Sequence, residues 1–199
     1  MREFIVRARK APVDADRFLA SVGSGAHVEY LAHIIVNALF ISKGHREDAS
    51  LTLVLEDSAD FSRALTIQGN SLGSLSGMNE GALLNTCATA LRAGKSLQKE
   101  ASIICDDGII VKAISFEHLV KEKAATRVVY MLDRKGDDIR ETGVLGNPVF
   151  LLTDHIPMPK KTFNSLIRQG VVKLSLGPTM LHASQCISVI HNELDRLGC

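Results

Sequence analysis

The first apolar residues of the chain alternate with polar ones. Over residues 3–9 this repeat of two predicts a β-strand, with Arg7 and Arg9 together on a basic-leaning face. Small and polar residues over 11–26 predict a loop. A short apolar run at 51–55 predicts a second strand, and residues 65–68 are expected to pair with it as an edge.

The apolar spacing changes to three or four residues in several later segments, which is the spacing of a helix with one buried face. The predicted helices cover residues 27–42, 82–93, 116–125 and 186–197. Ser115 is a candidate N-cap for the third of them. Residues 109–114 predict another strand. The segment NSLGSLSGMNEG at 70–81 is the densest cluster of Gly and Ser and predicts a loop.

The last seventy residues contain three short runs that are almost entirely apolar, at 128–132, 149–152 and 171–174. Such runs are typical of strands buried on both faces of a parallel sheet, so the chain is expected to be an α/β protein. Ligands of these sheets bind outside the carboxyl ends of the strands. Those ends carry Asp133-Arg134, Thr153-Asp154-His155 and Ser175-Leu176-Gly177-Pro178.

Composition narrows the class of protein. The 199 residues are 46% hydrophobic and 23% charged, as in an ordinary globular domain, and no linker divides them. A disordered chain is excluded. The formal net charge of +1 excludes a protein held to nucleic acid by charge alone, although a local basic patch remains compatible. With no Trp and few aromatic residues, stacking of bases on an aromatic platform is not expected.

Several familiar signatures are missing. The N-terminus is too charged for a signal peptide, and no apolar stretch reaches the length of a membrane span. Four scattered cysteines lack zinc-site or disulfide spacing, which favours a reduced cytoplasmic protein without metal. Neither a dinucleotide fingerprint nor a P-loop occurs. The loop at 174–178 remains open: it is either a site for adenine, with Gly177 admitting a flat ligand, or a plain turn.

The chain resembles the TrmY family, the tRNA pseudouridine N1-methyltransferases of the SPOUT superfamily. The matching segments are MREFIVRA at the start, GIIVKAISFEHLV at 108–120, VVYMLDRKGDDIRE at 128–141, NPVFLLTDHIPMP at 147–159 and LSLGPTMLHASQCISVIHNELDR at 174–196. The last is the most specific. The resemblance implies an α/β fold with a C-terminal trefoil knot, a homodimer, and S-adenosylmethionine bound in the knot. Periodicity gives no sign of a knot, and general topology rules argue against one.

The resemblance also implies a division of labour within the single domain of residues 1–199. Residues 1–125 extend the sheet and help to bind RNA, and residues 126–199 form the knotted, cofactor-binding part. The cofactor contacts that the resemblance implies are Leu132, Thr153, Leu174, Ser175, Leu176, Gly177, Met180, Leu181 and Cys186. This chain departs from the family at Thr153, where Gly is common, and at 70–78, where archaeal members carry Arg. It is similar to the bacterial branch.

Transfer of a methyl group to pseudouridine N1 needs a group that takes or orients the N1 proton. Asp154 is the candidate. An ordinary Asp is a weak base, so a turn cap or a bond to the cofactor ribose remain alternatives for this residue. His155 has a more suitable pKa but is as readily structural. His182 and Cys186 lie four residues apart, and too few ligands accompany them for a metal site.

Candidate phosphate contacts are the basic residues Arg7, Arg9, Lys10, Arg17, Lys160 and Lys161. Three functions stay open at the level of sequence. The first is an S-adenosylmethionine-dependent methyltransferase acting on pseudouridine in tRNA or another RNA. The second is a protein of the same fold that binds RNA or cofactor with little catalysis. The third is a small-molecule α/β enzyme. Retention of tRNA in a salt-sensitive manner would separate the first two from the third.

Overall fold

One mixed sheet forms the centre of the protein. The structure is a computed structural model that describes residues 1–72, 77–105, 108–143 and 145–198. Its strands are β1 (Arg2–Pro12), β2 (Phe40–Ile41), β3 (Gly44–His45), β4 (Ala49–Asp57), β5 (Arg63–Gln68), β6 (Ser102–Ile104), β7 (Ile110–Ala113), β8 (Val129–Asp138), β9 (Val149–Thr153) and β10 (Val172–Ser175). Its α-helices are α1 (Ala15–Ala20), α2 (Glu29–Leu39), α3 (Glu80–Ala93), α4 (Phe116–Ala124), α5 (Lys160–Arg168) and α6 (Ala183–Arg196).

The sheet has two parts with different strand directions. Its order is β10-β8-β9-β1-β4-β5-β7-β6. The strands from β10 to β4 pair in parallel, and β5, β7 and β6 add an antiparallel extension. The predicted α/β fold with a parallel sheet is therefore confirmed. The trefoil knot stays a prediction.

Helices cover both faces of the sheet because the central strands are apolar on both. One hydrophobic cluster joins Phe4 and Val6 of β1 to α1, α2, α3 and α6. The other joins Ile5 of the same strand to α4 and α5. This two-sided burial explains why the run at 149–152 is nearly all apolar. The run at 171–174 is not buried on both faces as expected, because β10 lies at the edge of the sheet and Val172 is exposed. No helix in the described residues is long and apolar enough to span a membrane.

Two sequence-based expectations about local structure are wrong. Residues 11–26 are not only a loop, because β1 continues to Pro12 and α1 follows, with the Asp14 side chain accepting hydrogen bonds from Asp16 and Arg17. The predicted edge strand β5 lies inside the sheet, between β4 and β7. The Ser115 N-cap of α4 is confirmed, since its side chain accepts from His118 N–H. Of the predicted loop at 70–81, residues 73–76 lie outside the described residues.

Strands β8 and β10 meet in an interrupted register that depends on a glycine. Lys173 pairs with Met131, but the next residue, Leu174, pairs with Asp137. The intervening part of β8 therefore bulges away, and Gly136 returns against the backbone of β10. A Cβ on Gly136 would lie 2.5 Å from Leu174 N, which is too close for two non-bonded atoms. Because the neighbour is a backbone atom, it cannot move away easily, so only glycine fits at this position. This contact fixes where the loop after β10 emerges.

A buried polar network ties the last helix to the first strand. The His191 ring is 3% exposed, with Nε2 3.0 Å from the Ala38 carbonyl oxygen and Nδ1 3.1 Å from Arg2 Nη1. The carbonyl can only accept, so Nε2 carries the proton and Nδ1 accepts from Arg2. Burial, reinforced by the cations of Arg46 and Arg2, lowers the pKa of His191 to about 4. The imidazole is neutral in the folded protein at neutral pH.

This histidine makes stability depend on pH. The unfolded chain protonates His191 near pH 6.5, whereas the folded chain does so only near pH 4, so stability is lost as the pH falls between these values. The free energy of unfolding should drop by about 2 kcal/mol from pH 7 to pH 5 on this account. Urea titrations at both pH values measure it. His191→Gln should flatten the slope, and the control His118→Gln, at a histidine with a half-exposed side chain, should not. An unchanged slope in both refutes the assignment.

Candidate functional site

A cavity of about 670 Å³ opens at the carboxyl ends of β8, β9 and β10. This is where a parallel sheet places its ligand, and the volume is within the roughly 300–1,000 Å³ of sites for ligands of drug size. Its wall is mostly aliphatic. The residues that line it come from the ends of these strands, from α5 and α6, and from α2.

The structure brings most of the predicted cofactor residues together at this cavity. Those that line it are Leu132, Thr153, Leu174, Leu176, Gly177, Met180, Leu181 and Cys186. Ser175 is the exception: it is 7% exposed, and its Oγ accepts a hydrogen bond from Gly177 N–H at 3.1 Å. Ser175 supports the loop through this bond, and its predicted contact with the cofactor stays a prediction. Its hydroxyl holds the turn that presents Leu176 and Gly177.

Gly177 gives this loop a conformation that other residues rarely adopt. Its φ is +107°, and a Cβ built on it meets no atom within 4 Å. Gly177 lines the cavity, so its lack of a side chain leaves the backbone of the loop open to a ligand, while the turn depends on glycine for its own geometry. The size of the cavity, its aliphatic wall and the open surroundings of Gly177 fit S-adenosylmethionine.

Cys186 contributes an inert wall rather than a nucleophile. Burial raises the pKa of its thiol to about 11, and its Sγ lies 3.8 Å from the Leu181 carbonyl oxygen, a distance compatible with a weak S–H donation. The thiol is therefore protonated at neutral pH and a poor nucleophile. The described residues contain no group of three or more His, Cys, Asp or Glu that could hold a metal ion.

Asp154 lies at the end of β9 with its carboxyl group nearly enclosed. Its backbone N–H donates to the Arg7 carbonyl, which anchors the residue to β1. The side chain is 2% exposed; Oδ1 accepts from Ile156 N–H at 3.0 Å, and Oδ2 lies 3.5 Å from His155 Nδ1. Burial raises the pKa of Asp154, opposed in part by the Ile156 hydrogen bond and by His155 and Arg9. The carboxylate is thus a better proton acceptor than an ordinary Asp.

Several lining residues were not found by sequence reasoning. Tyr30 reaches the cavity from α2, and Phe163 reaches it from α5. Neither residue belongs to a motif, and their positions depend on how the helices pack over the ends of the strands. Asp133 and Arg134 also line the cavity, as their place after an apolar strand suggested.

The predicted RNA contacts divide into accessible and inaccessible residues. Arg9, Lys10, Lys160 and Lys161 are exposed, and Arg17 is exposed while pairing with Asp57. Arg7 is 7% exposed, bonded to Glu56 and Glu117, and stacked over the Phe116 ring. Its charge is already balanced inside the protein, so the prediction that Arg7 contacts RNA phosphate is withdrawn. Arg9, two residues on, lies near enough to Asp154 to affect its pKa.

Comparisons with known proteins find relatives over the whole length of this chain. The whole chain, residues 1–199, matches the family described as "Putative SAM-dependent RNA methyltransferase". Two bacterial relatives carry the name "Putative pseudouridine methyltransferase". The protein of Shewanella baltica is 51% identical over 195 residues, which covers 98% of each chain, and that of Vibrio atlanticus is 48% identical over 198 residues, with full coverage of both.

A solved structure shares the fold at much lower identity. It is that of Archaeoglobus fulgidus Nep1 bound to S-adenosylhomocysteine, which matches with a TM-score of 0.60 and 10% identity. The match covers 99% of this chain and 98% of the other. At that identity the likeness shows the fold alone, and it extends over the antiparallel part of the sheet as well as the parallel part.

Proposed function

This chain belongs to that family of S-adenosylmethionine-dependent RNA methyltransferases, and we propose that it methylates N1 of pseudouridine. The observation that carries the proposal is Asp154, a buried carboxylate with a raised pKa at the cavity that suits the cofactor. The names of the relatives support pseudouridine as the substrate. The resemblance to the TrmY family supports N1 as the methylated atom and tRNA as one candidate RNA.

The residues around the larger cavity have separate tasks in this reaction. S-adenosylmethionine, when bound, supplies an electrophilic methyl group. Leu132, Leu176 and Cys186 would form an apolar wall around it that excludes water, and Gly177 would leave its backbone open to a flat ring. Thr153 ends β9 beside them. The sheet holds the strand ends rigidly, and such positioning lowers the barrier to an in-line transfer.

Asp154 accepts the proton that the nucleophilic N1 atom loses. Its Oδ1 is occupied by the Ile156 N–H, which leaves Oδ2 to accept the N1 proton of the base. The anchor of Asp154 N–H on the Arg7 carbonyl keeps the carboxylate at the end of β9. Arg7 therefore acts from within the protein, through its backbone at this anchor, and not on RNA.

The accessible basic residues form the proposed RNA surface. Lys160 and Lys161 open α5, where positive charge is unfavourable because the helix dipole is positive at that end. Their place there has no advantage for the helix, which supports a role in binding phosphate. Arg9, Lys10 and Arg17 extend the surface along β1 and α1. A homodimer would double this surface. The knot in residues 126–199 and a cytoplasmic location belong to the same proposal.

Nucleoside mass spectrometry tests the function directly. RNA from cells with and without this protein is digested and compared, and methylated pseudouridine should be present only with the protein. Calorimetric titration of the purified protein with S-adenosylhomocysteine should give saturable binding at the same time. Binding without any difference in methylated nucleosides would favour the same fold acting as a binding protein. No cofactor binding by correctly folded protein would contradict the proposal.

A further inference from the structure

Strand β8 bulges out of the sheet where it passes the cavity. Its pairing with β9 ends at Met131, two residues before β9 itself ends. Its pairing with β10 also stops at Met131 and resumes only at Asp137, so residues 132–136 pair with neither neighbour. Successive residues of a regular strand point to opposite faces, whereas the bulged residues Asp133 and Arg134 both line the cavity. The bulge therefore presents two adjacent charged residues to the same space.

These two residues give the cavity a pair of opposite charges on a different strand from Asp154. Among the described residues that line it, Arg134 is the only arginine or lysine, and Asp133 and Asp154 are the only carboxylates. The proposed function assigns Asp154 to the N1 proton and leaves Asp133 and Arg134 without a task. An anion beside a cation in an otherwise aliphatic wall suits a ligand that carries both charges itself.

The Asp133 carboxylate has one oxygen bound within the bulge and one that is only loosely paired. Its Oδ1 accepts from Lys135 N–H at 2.8 Å, a local turn that holds the side chain in place. Its Oδ2 lies 3.5 Å from Lys173 Nζ, which is longer than a well-formed charged hydrogen bond. The Lys173 ammonium group also lies 5.0 Å over the centre of the Phe163 ring. A second ammonium group can therefore approach Oδ2 without breaking a strong ion pair.

The Arg134 guanidinium group has its full set of donors available at the cavity. Its side chain is exposed and forms no hydrogen bond or ion pair with the described part of the chain. Arg7 is the opposite case, since its guanidinium group is buried between Glu56 and Glu117. The planar fork of a guanidinium group matches the two oxygens of a carboxylate. Arg134 is therefore suited to bind a carboxylate that enters the cavity.

We propose that Asp133 and Arg134 bind the amino-acid end of the cofactor, with the carboxylate of Asp133 receiving the α-ammonium group and the guanidinium group of Arg134 receiving the α-carboxylate. The inference rests on the proposed function and deepens it, because it assigns the charged half of the ligand. The loop at Gly177 suits the uncharged adenine half. The contact of Gly136 with Leu174 joins the end of the bulge to the start of that loop, so adjacent elements hold the two halves of one ligand.

A series of cofactor analogues tests the assignment by binding alone. Wild-type protein is titrated calorimetrically with S-adenosylhomocysteine, its deaminated analogue, its decarboxylated analogue, and 5′-methylthioadenosine, which lacks both charged groups. Loss of the ammonium group should weaken binding roughly 5- to 100-fold, the size of a lost charged hydrogen bond at the half-buried Asp133. Loss of the carboxylate should weaken it by about 2- to 5-fold, since solvent and salt screen the exposed Arg134. Equal affinity for all four ligands would overturn the proposal.

Two variants assign each charged group of the ligand to its partner. Asp133→Asn keeps an oxygen for Lys135 N–H, so the bulge should be retained; it should weaken binding of S-adenosylhomocysteine but not of the deaminated analogue. Arg134→Gln should weaken binding of S-adenosylhomocysteine but not of the decarboxylated analogue. The matched control Lys135→Gln removes an exposed cation of the same bulge that does not line the cavity, and should change no affinity. Variants that weaken all four ligands alike would show a structural role and overturn the proposal.

The outcomes separate this subsite from the function on which it rests. If cells with the protein contain methylated pseudouridine but neither charged group of the ligand affects its affinity, the subsite is wrong and the function stands. If the four ligands and both variants follow the expected pattern while RNA stays unmodified, the methyltransferase function fails and the subsite stands. If folded wild-type protein binds none of the four ligands, both proposals are contradicted.

Discussion

Replacing Asp154 by Asn should slow methyl transfer by about 10²–10⁴-fold, the usual contribution of a general base. Asn is nearly isosteric, and its oxygen can still accept from Ile156 N–H, so the fold and the cavity should be kept. What it lacks is the ability to take a proton. Single-turnover rates with labelled cofactor and RNA from cells lacking the protein give the effect.

The raised pKa of Asp154 adds a second signature to this experiment. Because burial favours the protonated carboxyl group, the wild-type rate should fall as the pH drops through that raised pKa. The variant should lose this limb of the profile. Asp137→Asn, on an exposed residue of β8 outside the cavity, is the matched control and should behave as wild type. An Asn variant with normal rate but a cofactor affinity weaker by about 1–3 kcal/mol would place Asp154 on the cofactor instead.

Gly177→Val should abolish detectable cofactor binding, because the added side chain would obstruct the approach of a flat ligand to the loop beside Leu176. The substitution also strains a backbone with φ +107°, at a cost of about 1–3 kcal/mol in stability. Gly170→Val controls for the strain, because Gly170 has φ +90°, equally open surroundings and no contact with the cavity. Both variants should lose similar stability in urea titrations. Equal affinity for S-adenosylhomocysteine in the two would show that the 174–178 loop is only a turn.

The sequence indicated the parallel half of the fold and the place of the cofactor site because both depend on local patterns. Apolar runs such as 149–152 are buried on both faces, and polar residues that follow them must meet at one edge. Position 7 shows where this reasoning stops. A repeat of two residues places Arg7 and Arg9 on one face of β1. Only the packing of Glu56 and of Phe116 on α4 against Arg7 determines that Arg7 is buried, whereas Arg9 is exposed.

The contacts among the rings of His27, Tyr30, His155 and His182 escaped prediction for a similar reason. Composition showed few aromatic residues and argued against stacking, but it did not count histidine rings or show that His27, His155 and His182 converge. His27 lies more than a hundred positions before His155 and His182 in the sequence. Tyr30 comes near them only because α2 packs beside α6. Helix α1 was missed because six residues are too few for a clear helical period.

The close approach of Gly136 to the backbone of Leu174 has a consequence for the order of events during synthesis. Strand β10, which completes the cavity, lies against β8, and the ribosome releases β8 some forty residues before β10. Cys186, which forms another part of the cavity wall, is released after both. A nascent chain that ends before residue 174 contains Asp154 and the end of β9, but lacks the 174–178 loop of the proposed cofactor site. Competence for methyl transfer is therefore expected only once residues 174–186 have been synthesised.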